Sequence, residues 1–455
     1  MTIQQAMHQM PGKPGRDTAV RGEAPREASS DEAGSPRHAP NHTGSGLLQE
    51  ALTRENLQLA LKRVRSNKGV AGVDGLGIEE TIEHLKTAWP AIRAQLLAGT
   101  YRPSPVRRVL IPKPDGGERK LGIPTVTDRL IQQALLQVLQ PLLDPSFSDH
   151  SYGFRPGRNA HQAVLAAQQF VHAGRNIVVD VDLEQFFDRV DHDLLIARLS
   201  VKVTDRGVLR LVRAYLNSGT LIDGVVVGSD RGTPQGGPLS PLLANVLLDE
   251  VDKELERRGH CFVRYADDAN VYVRSLKAGQ RVMALLRRLY DRLRLQVNEC
   301  KSAVASAFGR KFLGYGFWLS VQGEVKRWVA SKALQAFKSR IRQLTPRNAG
   351  RSLSKVAEGL KGYLLGWKAY FGLSQTPRVM QRFDEWIRRR LRAIQLKQWK
   401  TGRNIYRELR KLGAVDELAS AVASNSHRLW YNSAGLIHGV LTVAWADRLG
   451  LPRLY

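Results

Sequence analysis

The sequence predicts an α+β chain: a long section of antiparallel strands broken by helices, then an all-helical portion. Three observations predict it. Strand–turn–strand patterns occur at "VRRVLIPKPDGGERKLGIP" and "CFVRYADDANVYV". Long apolar-periodic runs such as "TDRLIQQALLQVLQPLLD" separate the strands. After roughly residue 330 only helical spacing remains, in basic and aromatic-bearing runs. Strands segregated from helices in this way read as an antiparallel sheet with helices packed on it.

With 455 residues the chain exceeds one ordinary core, and 43% hydrophobic residues supply a substantial interior. Lys and Arg number 69 against 42 Asp and Glu, a net charge of +27 spread from the first folded segment to the last. Solubility needs only a few net charges, so this excess implies a polyanionic partner, nucleic acid first. The two cysteines, Cys261 and Cys300, cannot build a disulfide framework or a four-ligand zinc site. No apolar run approaches the ~20 residues of a membrane span. No apolar signal-peptide core opens the chain, so a cytoplasmic, membrane-free protein is expected.

In chain order, residues 1–46 are rich in Pro, Gly, Ser and charge and are expected to form a disordered tail. From Leu47, "LLQEALTRENLQLALKRVRSN" has helical spacing, with Thr53 near a helix start; a Gly-rich turn and a second amphipathic stretch run to Leu97. The two strands around "PDGG" follow, then a helix with Thr127 as expected N-cap. "NIVVDVDLEQFF" reads as a buried strand ending in acids. "GVVVGSDRGTPQGGPLSPLLANVLLDEVDKELERR" reads as a strand, a Gly/Pro loop and a long helix.

Four features carry chemistry. Asp267 and Asp268 sit side by side on a hairpin, and Asp180 and Asp182 end an apolar strand. Converging carboxylates are costly unless a cation neutralises them, and Mg²⁺ prefers carboxylate and phosphate oxygens. The Gly/Pro loop before the long helix lets Gln235 and backbone N–H groups approach a nucleotide. Lys113 and Arg119 flank a turn, placed to clasp a triphosphate. Each feature alone is also an ordinary hairpin, loop or pair of surface cations; together and in this order they are not.

The chain resembles a bacterial group II intron-encoded reverse transcriptase, or maturase, of the compact class C type. The resemblance runs from Leu47 to the C-terminal helices. It rests on the ordered blocks "YRPSPVRRVLIPKPDGGERKLGIPT", "SYGFRPGRNAHQAV", "VDLEQFFDRVDHDLL", "GTPQGGPLSPLLANVLLDEVD", "RYADD", "LQVNECKS" and "FLGYGF". It implies a right-hand polymerase with fingers and palm over 47–323 (47–100 an N-terminal extension), a helical thumb or maturase domain over 324–402, and a DNA-binding-like helical region over 403–455. Two Mg²⁺ ions would be held by Asp182, Asp267, Asp268 and the Val181 carbonyl; Asp180 is read as a neighbour. Asp188 and Asp191 are expected to cap the next helix. Lys113, Arg119, Phe187, Gln235 and Lys301 would meet the nucleotide, Phe187 by excluding a 2′-hydroxyl, while Phe186 packs in the core.

In "LKGYLLGWKAYFGL", Trp367, Tyr370 and Phe371 are read as core. RNA contacts are expected instead at Lys361, Lys368, Arg382, Arg388, Arg389 and Arg390. The resemblance implies an RNA-directed DNA polymerase that binds its intron RNA, assists splicing and copies it during retrohoming. Its partners would be intron RNA, an RNA template with a DNA primer, dNTPs and a DNA target, with no endonuclease. The alternatives are a domesticated reverse transcriptase in DNA repair or phage defence, and a polymerase-inactive splicing cofactor.

Overall fold

Alternating and β-branched runs form strands where the sequence places them. The computed structural model describes residues 46–112, 117–222, 225–228, 230–348 and 350–455. Residues 1–45 of the expected tail (1–46) and Lys113 therefore lie outside the described residues. "VRRVLIP" and "ERKLGI" form β1 (Val106–Pro112) and β2 (Glu118–Ile123), antiparallel with Arg107 opposite Ile123 and Pro112 opposite Glu118. The helix that follows spans Val126–Leu143. Its N-cap is Thr125, not Thr127. The Thr125 hydroxyl accepts the Asp128 N–H at 3.1 Å and donates to the Asp128 carboxylate at 2.7 Å. Both threonines suit a cap by type; only Thr125 has extended backbone outside the first turn.

The described chain divides into two compact units, 46–159 with 179–304, and 160–178 with 305–455. In the first, β1 and β2 join β4 (Thr220–Ile222) and β5 (Val225–Val227) in a sheet of order β2-β1-β4-β5. A second sheet contains β3 (Ile177–Val181), the hairpin strands β6 (Cys261–Tyr265) and β7 (Asp268–Val273), and β8 (Ala303–Ser306), in the order β6-β7-β3-β8. The unit boundaries fall inside β3 and β8. Helices Val126–Leu143 and Ser240–Arg257 contribute much of the core, with Ile131, Leu135, Leu139, Leu242, Leu247 and Val251 almost fully buried.

The second unit holds a three-stranded antiparallel sheet of β9 (Lys311–Phe312), β10 (Tyr315–Leu319) and β11 (Val325–Val329), ordered β11-β10-β9. The helices Ser331–Leu344, Leu353–Phe371 and Pro377–Trp399 follow, and short helices continue to Arg448. Trp367, Tyr370 and Phe371 are buried, as expected. Phe337 joins them, its ring 4.4 Å from Trp367 and 4.8 Å from Phe383. No helix of the described residues is long and apolar enough to cross a membrane.

One buried polar network fixes the β6–β7 hairpin. Arg264 and Asp252 have side chains only 1% exposed. The Arg264 Nε donates to both Asp252 carboxylate oxygens at 2.9 Å, while Nη1 donates to Asn245 Oδ1 and to the Ala266 carbonyl, each at 2.9 Å. Asn245 Nδ2 donates onward to the Gly153 carbonyl at 2.9 Å. Gly153 lies so close to the turn that an added Cβ would sit 2.3 Å from the Ala266 nitrogen. Its loop is held in turn by Arg155, which donates to Asp144 Oδ1 (2.8 Å) and the Ser151 carbonyl (3.0 Å).

Removing one member of a buried pair leaves the other charge uncompensated, at a cost of about 3–5 kcal/mol, whereas replacing both by apolar groups is far milder. Asp252→Ala is therefore expected to lose about that much stability in urea denaturation, and Asp252→Leu with Arg264→Met markedly less. Equal losses in the two variants would mean that the pair is not coupled through charge.

Candidate active site

Register pairing of Tyr265 with Asp268 leaves Ala266 and Asp267 as the hairpin turn. Ala266 has φ +59°, a left-handed conformation that costs a residue with a Cβ roughly 1 kcal/mol or more. The Arg264 bond to its carbonyl and the contact with Gly153 hold it there. The turn thus presents Asp267 and Asp268 side by side, both half-buried.

Asp182 follows directly on β3, after the buried Val181. Its N–H donates to the Ser302 hydroxyl at 3.0 Å, and its carbonyl accepts the Asn298 N–H at 2.8 Å. The segment containing "VNECKS" therefore anchors the acid's backbone. From the same segment Lys301 reaches the Asp182 carboxylate at 3.3 Å. Burial, reinforced by Asp180, Asp267 and Asp182, pushes the Asp268 carboxyl up to about 8. Three acids thus act on Asp268 where β3 ends and β7 begins. Asp180, read from sequence as a bystander, is the strongest of the three acidic neighbours of Asp268.

Among the described residues, no three His, Cys, Asp or Glu side chains close into a metal cage. That does not oppose Mg²⁺, which binds through one or two carboxylates and completes its shell with water and substrate phosphates. Hard carboxylate oxygens placed close to one another, with Asp268 raised by its burial and its acidic neighbours, suit such an ion, so the residues fit it.

The segment after Asp182 carries Gln185, Phe187 and Asp188 onto the wall of an open cleft of about 880 Å³. Phe186 is 2% exposed, its ring edge-on to that of Phe187 at 5.1 Å. The core and cleft roles thus fall on the two rings as read from sequence. Asp191 caps helix His192–Ser200, accepting the Asp193 and Leu194 N–H groups at 3.1 and 3.0 Å. Asp188 caps nothing: it lies within the short helix Phe186–Arg189.

Across the cleft, the Arg119 Nε donates to Gln235 Oε1 at 2.8 Å, joining two of the expected nucleotide residues. Gln235 also accepts the Gly122 N–H through its carbonyl at 3.0 Å. The next residue, Gly236, has φ +141°, and a Cβ there would lie 2.5 Å from the Gly122 carbonyl oxygen. Only glycine lets the loop lie this close on β2. The Arg119–Gln235 contact was not readable from sequence, because 116 positions separate its partners.

In the helical unit the six expected RNA-binding cations divide. Lys361 and Arg382 are exposed. Lys368 donates to the Arg453 carbonyl at 2.6 Å. Arg388, half-buried, lowers the proton affinity of Asp384, a carboxyl that burial raises overall. Arg389 stacks on Trp430 at 4.0 Å, and Arg390 donates to the Thr345 hydroxyl at 2.5 Å.

A family model described as reverse transcriptase (RNA-dependent DNA polymerase) matches residues 111–317. A model described as group II intron, maturase-specific domain matches residues 334–413. The chain is 36% identical over 218 residues to Protein YkfC of Escherichia coli (strain K12), covering 47% of this chain and 57% of that one. It is 39% identical over 197 residues to the group II intron-encoded protein LtrA of Lactococcus lactis subsp. cremoris, covering 43% of this chain and 32% of that one. A solved structure, a partial Cas6-RT-Cas1--Cas2 complex, aligns at 26% identity and a TM-score of 0.36 over 54% of this chain and 42% of that one. The matched part thus spans a little over half of YkfC and about a third of LtrA. Two stretches of the chain thus match, in order, a reverse transcriptase domain (residues 111–317) and a group II intron maturase-specific domain (residues 334–413).

Proposed function

We propose that the chain is an RNA-directed DNA polymerase encoded by a group II intron, which binds its intron RNA to assist splicing and copies it into cDNA. The observation that carries the reading is that β3 and β7 lie side by side in one sheet and bring Asp180, Asp182 and Asp267 near enough to act on Asp268. Two nearby Mg²⁺ ions, held by Asp182, Asp267, Asp268 and the Val181 carbonyl, would activate a primer 3′-hydroxyl and neutralise the departing pyrophosphate.

The remaining residues bind and orient. Gln235 lines the cleft and is already bonded to Arg119, so ordering the two against a nucleotide costs little further entropy. Lys113 would add a second cation for the triphosphate. Lys301, now on Asp182, would move to a phosphate once cations neutralise that carboxylate. Phe187 would occupy the space of a ribose 2′-hydroxyl and so select deoxynucleotides by clash. The basic helices after residue 330, with Lys361 and Arg382 exposed, supply the grip on RNA.

Primer extension on an RNA template with Mg²⁺ and dNTPs tests the reading. Wild type should make cDNA, and Asp267→Asn, with unchanged melting, should lose at least about 100-fold in rate. Wild-type speed from that variant would remove the hairpin from the chemistry. A wild type that binds RNA but extends no primer would favour a polymerase-inactive splicing cofactor.

Phe187→Ala is expected to keep dNTP incorporation while narrowing the preference for dNTPs over rNTPs by roughly 10–100-fold. Competitive single-nucleotide incorporation measures it. Unchanged discrimination would assign Phe187 to packing alone.

A further inference from the structure

The helical unit contains a second basic cavity, of about 740 Å³. Arg342 and Arg347, near the end of helix Ser331–Leu344, face Trp386 and Arg390 of helix Pro377–Trp399, with Trp430 completing the wall. Arg390 is pinned: its Nη2 donates to the Thr345 carbonyl at 2.9 Å, and its guanidinium lies 5.4 Å from the Trp386 ring centre. Arg342 approaches the same ring at 5.7 Å. Behind Trp430, Arg389 stacks on the indole and donates to its carbonyl at 3.1 Å.

Arg342 and Arg347 are exposed, and neither has a carboxylate partner among the described residues. No acid lines the cavity. Burial, and then repulsion from Arg342 and Arg347, holds the Arg390 guanidinium below its usual pKa, so the three cations are close enough to oppose one another. Folding alone gives no reason to gather three like charges around an open space. An anion relieves them, and guanidinium forks fit phosphate oxygens in a way that a lone ammonium does not. The indoles and guanidinium planes beside them offer flat faces of the kind on which unpaired bases stack. Of the two indoles, Trp386 is half-buried with Arg342 and Arg390 beside it, whereas Trp430 is 37% exposed and offers a base the face that Arg389 does not cover.

We propose that this cavity is a subsite for one phosphate and its adjacent base in a single-stranded polynucleotide, with Arg342, Arg347 and Arg390 on the phosphate and Trp430 beside the base. It rests on the nucleic-acid-binding part of the proposed function and not on polymerisation. Arg390 was expected to contact RNA; Arg342, Arg347, Trp386 and Trp430 were not anticipated.

The test is fluorescence anisotropy of the full chain with a labelled 12-nucleotide RNA and the DNA of the same sequence, without Mg²⁺ or nucleotides. The Arg342→Ala/Arg347→Ala variant should bind about 10-fold or more weakly, with a shallower salt dependence, because each lost phosphate contact in a single strand removes about 0.7 from the log–log slope. A Lys277→Ala/Arg281→Ala variant removes the same charge from exposed positions on helix Leu276–Arg292 and should bind within about 2-fold of wild type. Weakening on both strands, or on either alone, supports the subsite and identifies the strand it takes. Equal weakening in the two double variants, or none in the first, overturns it. A wild type that binds neither strand overturns the nucleic-acid reading as well, so the two failures are distinct. Both arginines are exposed, and Arg342→Gln gives a milder single change should the double variant melt early.

Discussion

Everything at the acid-bearing hairpin depends on the buried ion pair between Arg264 and Asp252. Such a pair rarely adds stability over apolar residues of the same size, because both ions must leave water. What it supplies is position. An apolar side chain at Arg264 has no donor for the Ala266 carbonyl and none for Asn245. Those two bonds tie the left-handed turn to helix Ser240–Arg257 and, through Asn245, to the Gly153 loop. The two acids are therefore placed by a polar network that is satisfied at each of these links, in a low-dielectric setting where an unsatisfied link would be expensive.

A second constraint follows from the first. Holding Asp267 and Asp268 rigidly beside Asp180 and Asp182 prevents the carboxylates from separating to relieve their repulsion. That repulsion adds to burial, the larger cause, in raising the proton affinity of Asp268. Lys301 offsets part of it at Asp182, but it is exposed and arrives on a flexible stem, so it is a replaceable counter-charge. A fixed acid group with a removable cation is what a site needs if ions and phosphates are to enter and leave with each turnover.

The parts of this arrangement that were legible in sequence are those written within a few residues. Alternation located β1, β2, β6 and β7, and the acids announced themselves because aspartates are out of place in a strand. Phe186 and Phe187 were told apart by the family resemblance, which implies a bulky ring at Phe187, and the short helix turns these neighbours to different sides. What escaped was set by distant partners. Arg264 reads in sequence as the flank of "YADD"; its pairing with Asp252 needs the helix and hairpin docked together. The Arg119–Gln235 bond and the cavity between Arg342 and Trp430 have the same origin. The β9–β11 sheet was missed because β9 is two residues long and carries no period to detect.

The two basic regions differ in how they hold charge, and that difference bears on what each can recognise. In the polymerase unit, Arg264 and Arg155 spend their donors on protein groups and act as struts. In the helical unit the ring systems of Trp367, Tyr370 and Phe371 are consumed by the core, which removes them as stacking surfaces. On the proposed reading, recognition there would fall to arginines whose guanidinium groups lie over Trp386 and Trp430. An arginine flattened on an indole has already lost much of its rotamer freedom, so little further ordering cost remains when its outer N–H groups meet a phosphate. Arg389, over Trp430, and Arg390, bonded to Thr345 beside Trp386, are thus held by protein groups, while the exposed Arg342 and Arg347 keep more of their donors for an incoming phosphate.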